Sequence, residues 1–185
     1  MKNKSKIICI DGPSSIGKTV QCNLLKIHLQ EMGIKTHIIK ITKDDSLQNV
    51  ADKFQEAEQI IEKNILGNIV LIDGGMAGIV AEAMAKGSSA NRLPEDIRNT
   101  LRLVEQINLR GFVQNIVMIP KNYKFVFLRN PNQDEFIFST TVDGIRNFAN
   151  LHVTINFPIK YITINPEDTM LIIRNEILKN ILKNS

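Results

Sequence analysis

Short apolar runs alternate along this chain with longer stretches whose apolar residues recur three or four apart. That is the pattern of an α/β domain built on a parallel sheet. Lys6 to Asp11 is apolar on both faces, which predicts a central first strand. Lys18 to Met32 predicts a helix, with Val20, Leu24, Ile27 and Leu25, Leu29 on one side and Gly33 as its stop. Lys35 to Thr42 is a β-branched second strand, followed by a helix from Ser46 to Leu66 carrying Val50, Phe54, Ala57 and Ile61. Asn68 to Asp73 predicts a third strand ending in a carboxylate, then a short helix from Met76 to Ala85. A long helix is expected from about Pro94 to Phe112, with Pro at its opening and acids in its first turn. Lys124 to Arg129 is the expected fourth strand. Past Phe138 the pattern weakens: Gly144 interrupts, and the segment to Pro158 suits helix, loop or short strand. Tyr161 to Ile164 predicts a fifth strand, and Asn165 is expected to cap a terminal helix carrying Ile173, Ile177 and Ile181. With no internal repeat and no linker, residues 1–185 are expected to form one domain.

Composition narrows the partners. The chain has 185 residues, 43% hydrophobic and 23% charged, enough for a substantial core. Trp is absent and aromatics are 5%, which argues against a stacking platform for bases. The net charge of +4 suits an anionic ligand, yet the Lys and Arg residues are dispersed. They make neither a nucleic-acid tail nor a membrane-binding basic helix, so neither nucleic acid nor membrane is the expected partner. Cys9 and Cys22 sit in apolar or helical contexts and read as buried side chains, and His28, His37 and His152 lack the spacing of metal ligands. Ile7 to Ile10 is too short for a signal segment or a membrane span, so the expectation is a cytoplasmic protein.

The chemistry concentrates in one loop. Gly12-Pro-Ser-Ser-Ile-Gly17-Lys18-Thr19 satisfies G-x-x-x-x-G-K-[ST] in full, with a strand before it and a helix after. The glycines let successive backbone N–H groups face one anion, and the helix that follows adds its positive end. Gly12, Pro13, Ser14, Ser15, Ile16, Gly17, Lys18, Thr19 and Val20 are therefore the candidate nucleotide cradle. Lys18 can reach the β- and γ-phosphates of ATP, and the Thr19 hydroxyl can ligate Mg²⁺. Asp73, at the end of a buried strand, is placed to hold Mg²⁺ through water or to accept a proton from a hydroxyl being phosphorylated; a plain turn residue before Gly74 and Gly75 is its other reading.

These motifs resemble the P-loop nucleoside and nucleotide kinases. "IDGPSS-GK" is similar to the phosphate loop of cytidylate kinases, and "GKTVQCNLL" to that of thymidylate kinases. "IPKNYKFVFLRNP" resembles the fourth-strand segment of deoxynucleoside and thymidylate kinases, and "INPEDTMLIIRNEIL" has the layout of their last strand, adenine-contacting loop and terminal helix. The resemblance implies a P-loop NTPase fold, a five-stranded parallel sheet with helices on both faces, and ATP- and Mg²⁺-dependent transfer to a nucleoside or nucleoside monophosphate. It also implies a small-molecule phosphate acceptor as partner, and a family that often forms homodimers through helices beside the sheet. Catalytic roles then fall to Lys18, Asp73 and Arg129, with Thr19 and Asp73 on the metal.

The chain departs from the family on the acceptor side. Asp73 is followed by Gly-Gly where an arginine is usual, and "TKDDS" stands where thymidylate kinases show Arg-Glu-Pro. Lys43 is the candidate replacement for the arginine's charge, without its bidentate geometry, and Asp44 or Asp45 for the acid. Only Arg129 and Arg146 stand where the family's lid supplies paired arginines. Arg92, Arg98 and Arg102 are further candidates; Arg98 and Arg102, four apart, share one helix face and could meet an acceptor phosphate, or simply face solvent beside Asp96. Gly74, Gly75 and Gly78 either make a turn or leave room for an acceptor near Asp73. A GTPase switch is disfavoured, because "TKDD" at Thr42 to Asp45 lies too early for a guanine-reading motif and no Asp-x-x-Gly follows the third strand. A kinase of another small metabolite and a nucleotide-binding protein without catalysis are the alternatives.

Overall fold

Hydrophobic alternation along the strands decides which helices cover which face. The computed structural model describes residues 5–13, 16–42, 44–63, 67–85, 93–109, 113–121, 151 and 158–182. The strands are β1 (Lys6–Asp11), β2 (Thr36–Lys40), β3 (Ile69–Asp73), β4 (Val113–Pro120) and β5 (Ile159–Ile164). They form a five-stranded sheet in the order β2-β3-β1-β4-β5, with every pairing parallel. Ile8 and Ile10 of β1 point to one face, where α1 (Lys18–Glu31) and α5 (Met170–Leu182) supply Cys22, Leu25, Leu29, Ile173, Ile177 and Ile181. Ile7 and Cys9 point to the other. There α2 (Leu47–Lys63), α3 (Met76–Ala85) and α4 (Glu95–Leu109) bury Phe54, Val80 and Val104 against the sheet. Both cysteines are buried free thiols, one on each face.

The expected five-stranded parallel sheet with helices on both faces is present, and α3 spans the expected residues. The first correction is an added strand. The fourth described strand is Val113–Pro120, running beside β1, in a stretch between the long helix and the expected fourth strand to which the sequence pattern assigns no element. The segment 124–129, expected as that strand, lies outside the described residues. Gln114 and Asn115 obscured β4 by interrupting its apolar run. Each is satisfied tertiarily: Gln114 Nε2 donates to the Asn180 carbonyl at 3.0 Å and Asn115 Nδ2 to the Pro158 carbonyl at 3.5 Å. A second correction concerns the last helix. Thr169, not Asn165, caps it, its hydroxyl accepting the Ile172 N–H at 3.3 Å. Asn165 instead closes a turn with Asp168, whose carboxylate accepts the Asn165 backbone N–H at 2.7 Å.

This strand order has a functional consequence. From β1 the chain moves to one side to build β2 and β3, then crosses to the other for β4 and β5. The carboxyl end of β1 therefore lies where the strand order reverses, the place at which open α/β sheets bind ligands.

Candidate functional site

The loop leaving β1 is shaped by two glycines with a positive φ. Gly12 has φ 145°, and a Cβ there would stand 2.5 Å from the Met118 carbonyl oxygen, so the loop is pressed against the end of β4. Gly17, with φ 100°, precedes α1 in the left-handed region and brings no side chain to cap it. The first turn of α1 also contains no acid. Its leading N–H groups have no carbonyl partner within the helix, which makes this end suited to an anion.

Lys18 is already turned onto the loop. Its Nζ donates to the carbonyls of Gly12 at 2.8 Å and Pro13 at 2.9 Å. Thr19, next along α1, donates its hydroxyl to Asp73 Oδ2 at 2.6 Å, joining the loop to the end of β3 across 54 residues of sequence. Asp73 is 3% exposed. A hydroxyl and a carboxylate so close are hard oxygen donors that together fit Mg²⁺, an ion that keeps several waters and shares its remaining sites with phosphate oxygens. Among the described residues no group of three or more His, Cys, Asp or Glu could hold a metal by itself.

Asp11 was missed by the sequence reading. It ends β1 with a buried carboxylate whose Oδ1 accepts the Gly12 N–H at 2.8 Å and whose Oδ2 accepts the Gly78 N–H at 2.7 Å. Burial pushes its carboxyl up to about 6, while the nearby Lys18 charge and the two amide bonds pull the other way and Asp73 adds to the rise. The signal available in the sequence was the acid directly before the first loop glycine. Gln21 was missed as well. Fully buried on α1, it donates through Nε2 to the Met170 carbonyl at 3.0 Å and so ties the phosphate-loop helix to the start of α5.

The glycines after β3 divide between their two readings. Gly74, with φ 97°, makes the turn. Gly75 and Gly78 lie against Asp11, with Cβ positions 3.2 and 2.8 Å from its carboxylate oxygens, so the space they leave is beside Asp11.

On the acceptor side, Asp44 is exposed beyond β2. Its neighbour Asp45 holds that connection together, accepting from Lys53 Nζ at 2.6 Å and from the Thr42 backbone N–H. The Lys53 bond, then the Thr42 N–H, hold the Asp45 carboxyl down at about 2. Arg98 and Arg102 stand on the exposed face of α4, opposite its buried Ile97, Leu101 and Val104. The structure thus brings Lys18, Thr19, Asp73 and Asp11 into one cluster, and no described hydrogen bond joins Arg98 or Arg102 to it. Val20 is 46% exposed at the start of α1. Ser14, Ser15, Lys43, Arg92, Arg129 and Arg146 lie outside the described residues. No described helix is long and apolar enough to cross a membrane.

No protein-family model matches the chain, and no curated protein is significantly similar to it. Among solved structures, it is similar over 95% of both chains to the YorR protein of Bacillus subtilis in complex with phosphorylated GDP, with TM-score 0.62 and 16% identity. It also resembles APE1195, with TM-score 0.58 and 14% identity over 97% of this chain and 96% of that one. The APS kinase CysC of Mycobacterium tuberculosis matches over 98% of this chain and 99% of its own, with TM-score 0.52 and 13% identity. At such identities the likeness is one of fold, and that fold is the P-loop NTPase fold.

Proposed function

We propose that this chain is a kinase that moves the γ-phosphate of Mg-ATP to a nucleoside or nucleoside monophosphate. The observation that carries the reading is the 2.6 Å bond from Thr19 to Asp73, which sets a metal-ligating hydroxyl and a strand-end carboxylate beside a complete phosphate loop. Phosphoryl transfer depends on positioning and charge neutralisation more than on covalent chemistry by the protein.

Each residue then has a definite task. The backbone amides from Gly17 to Thr19, at the first turn of α1, grip the phosphate chain. Lys18 exchanges the carbonyls of Gly12 and Pro13 for phosphate oxygens and neutralises charge on them. Thr19 and Asp73 are the residues that would hold Mg²⁺, an ion whose contribution is to offset charge on the β- and γ-phosphates. In the transfer, an acceptor oxygen forms a bond to the γ-phosphorus as the bond to the bridging oxygen breaks, and ADP leaves with that electron pair. Arg129 is assigned to charge on the transferring group, and Lys43, Asp44, Arg98 and Arg102 to the acceptor.

Of the two acceptor classes, a nucleoside monophosphate is favoured. Its attacking phosphate oxygen carries no proton, whereas a nucleoside hydroxyl needs a carboxylate to receive one. Asp73 is engaged by Thr19 and Asp11 by two backbone amides, so neither stands uncommitted for that task. The net charge of +4 also favours an anionic acceptor.

The test is ADP release from Mg-ATP in the presence of nucleosides, nucleoside monophosphates or small sugars. Stimulation by the monophosphates is expected. Stimulation by sugars alone would move the reading to another metabolite kinase, and stimulation by none to a binding protein without catalysis.

A further inference from the structure

Helix α3 begins without a cap of its own. The residue before its first one is Gly75, which has no side chain to accept the free amides of the first turn. A carboxylate from another element does this instead: Asp11 of β1 accepts the Gly78 N–H at 2.7 Å. Anionic groups are stabilising at such an end. The same carboxylate accepts the N–H of Gly12, the first residue of the phosphate loop, at 2.8 Å. One buried side chain thus fastens the nucleotide loop and the helix that follows β3, although Asp11 and Gly78 lie 67 residues apart in sequence.

The packing leaves this carboxylate little freedom. A Cβ on Gly78 would stand 2.8 Å from Oδ1, and one on Gly75 would stand 3.2 Å from Oδ2. Asp11 is 3% exposed, so it cannot swing into solvent to escape either. With one oxygen given to the loop and the other to α3, any displacement at one end strains the bond at the other.

We propose that Asp11 is a positioning residue that couples the phosphate loop to the first turn of α3, with Gly75 and Gly78 as the bare surface that admits it. Its consequence for turnover rests on the kinase reading above: filling of the donor loop is transmitted through Asp11 to the first turn of α3. Glycines are required at 75 and 78 for this contact, a different requirement from making room beside Asp73.

The experiment is NMR on the whole chain without ligand. In the wild type, couplings through the hydrogen bonds are expected from the Gly12 and Gly78 amides to a single carboxylate carbon, that of Asp11. Absence of either coupling overturns the proposal, and this measurement needs no variant. Gly78→Ala is then expected to speed hydrogen exchange of the Gly12 amide by about tenfold, because local opening at one end releases the other. Faster exchange within α3 with Gly12 unchanged also overturns the proposal. Adding Mg-ATP to the wild type should slow exchange at Gly78 as well as at Gly12, whereas in Asp11→Asn the slowing should stay within the loop. If Mg-ATP alters no loop amide, the kinase reading fails, while the ligand-free couplings still decide the anchor.

Discussion

Lys18, Thr19 and Asp73 divide the work of the centre by the chemistry of their ends. An ammonium is a mobile point charge, and here it rests on the Gly12 and Pro13 carbonyls within reach of the loop. A hydroxyl and a carboxylate 2.6 Å apart are the proposed metal side. Asp73→Asn should therefore lower Mg²⁺ affinity by about ten- to a hundredfold and cut turnover far more than it weakens ATP binding in the absence of metal. Titrating Mg²⁺ at fixed ATP checks this, and an equal loss of both would make Asp73 a structural residue. Asp11 makes a pH prediction of opposite sign to the usual acid. Its folded pKa of about 6 lies above the ordinary 3.8, so the native state holds more protons between those values than the unfolded chain. Its contribution is therefore most favourable below about pH 4 and declines as pH rises through about 6, by roughly 3 kcal/mol. Urea denaturation at pH 4.5 and 7.5 should show about 2 kcal/mol of that decline in the wild type and its loss in Asp11→Asn.

At the scale of elements, burial explains which parts of the fold could be read in advance. β1 and β3 are apolar runs between turn signals, and α2 repeats Val50, Phe54, Ala57 and Ile61 at helical spacing, so these segments announce themselves. β4 did not, because Gln114 and Asn115 draw their hydrogen bonds from α5 and from Pro158, partners that only the tertiary structure supplies. The same reason hid Asp11. The phosphate loop is legible because all its parts are adjacent in sequence, while the contact of Asp11 with Gly78 depends on β3 lying beside β1. The pairing of Thr19 with Asp73 stands between these cases, two local motifs whose meeting the sheet completes. Phe54 tests the packing directly. It is fully buried between α2 and the sheet, so Phe54→Ala should cost about 3–5 kcal/mol in chemical denaturation. A cost below about 1 kcal/mol would mean that α2 is not held as described.

Across the whole molecule, the strand order puts the phosphate loop in the middle and the proposed acceptor residues around it. β1 carries the loop, β3 brings Asp73 from one side, and β4 supports Gly12 from the other. The proposed donor residues come from the central strands and α1, whereas the candidate acceptor residues Asp44, Arg98 and Arg102 are exposed at the periphery. The claim on which everything else depends is that this centre holds Mg-ATP through Lys18. It is tested most directly by calorimetric titration of Mg-ATP into the wild type and Lys18→Ala, with circular dichroism on both to establish that each is folded. The account predicts saturable one-site binding by the wild type and a loss of at least about tenfold, or 1.4 kcal/mol, in the variant. Equal binding by the two folded proteins, or none by the wild type, would contradict it.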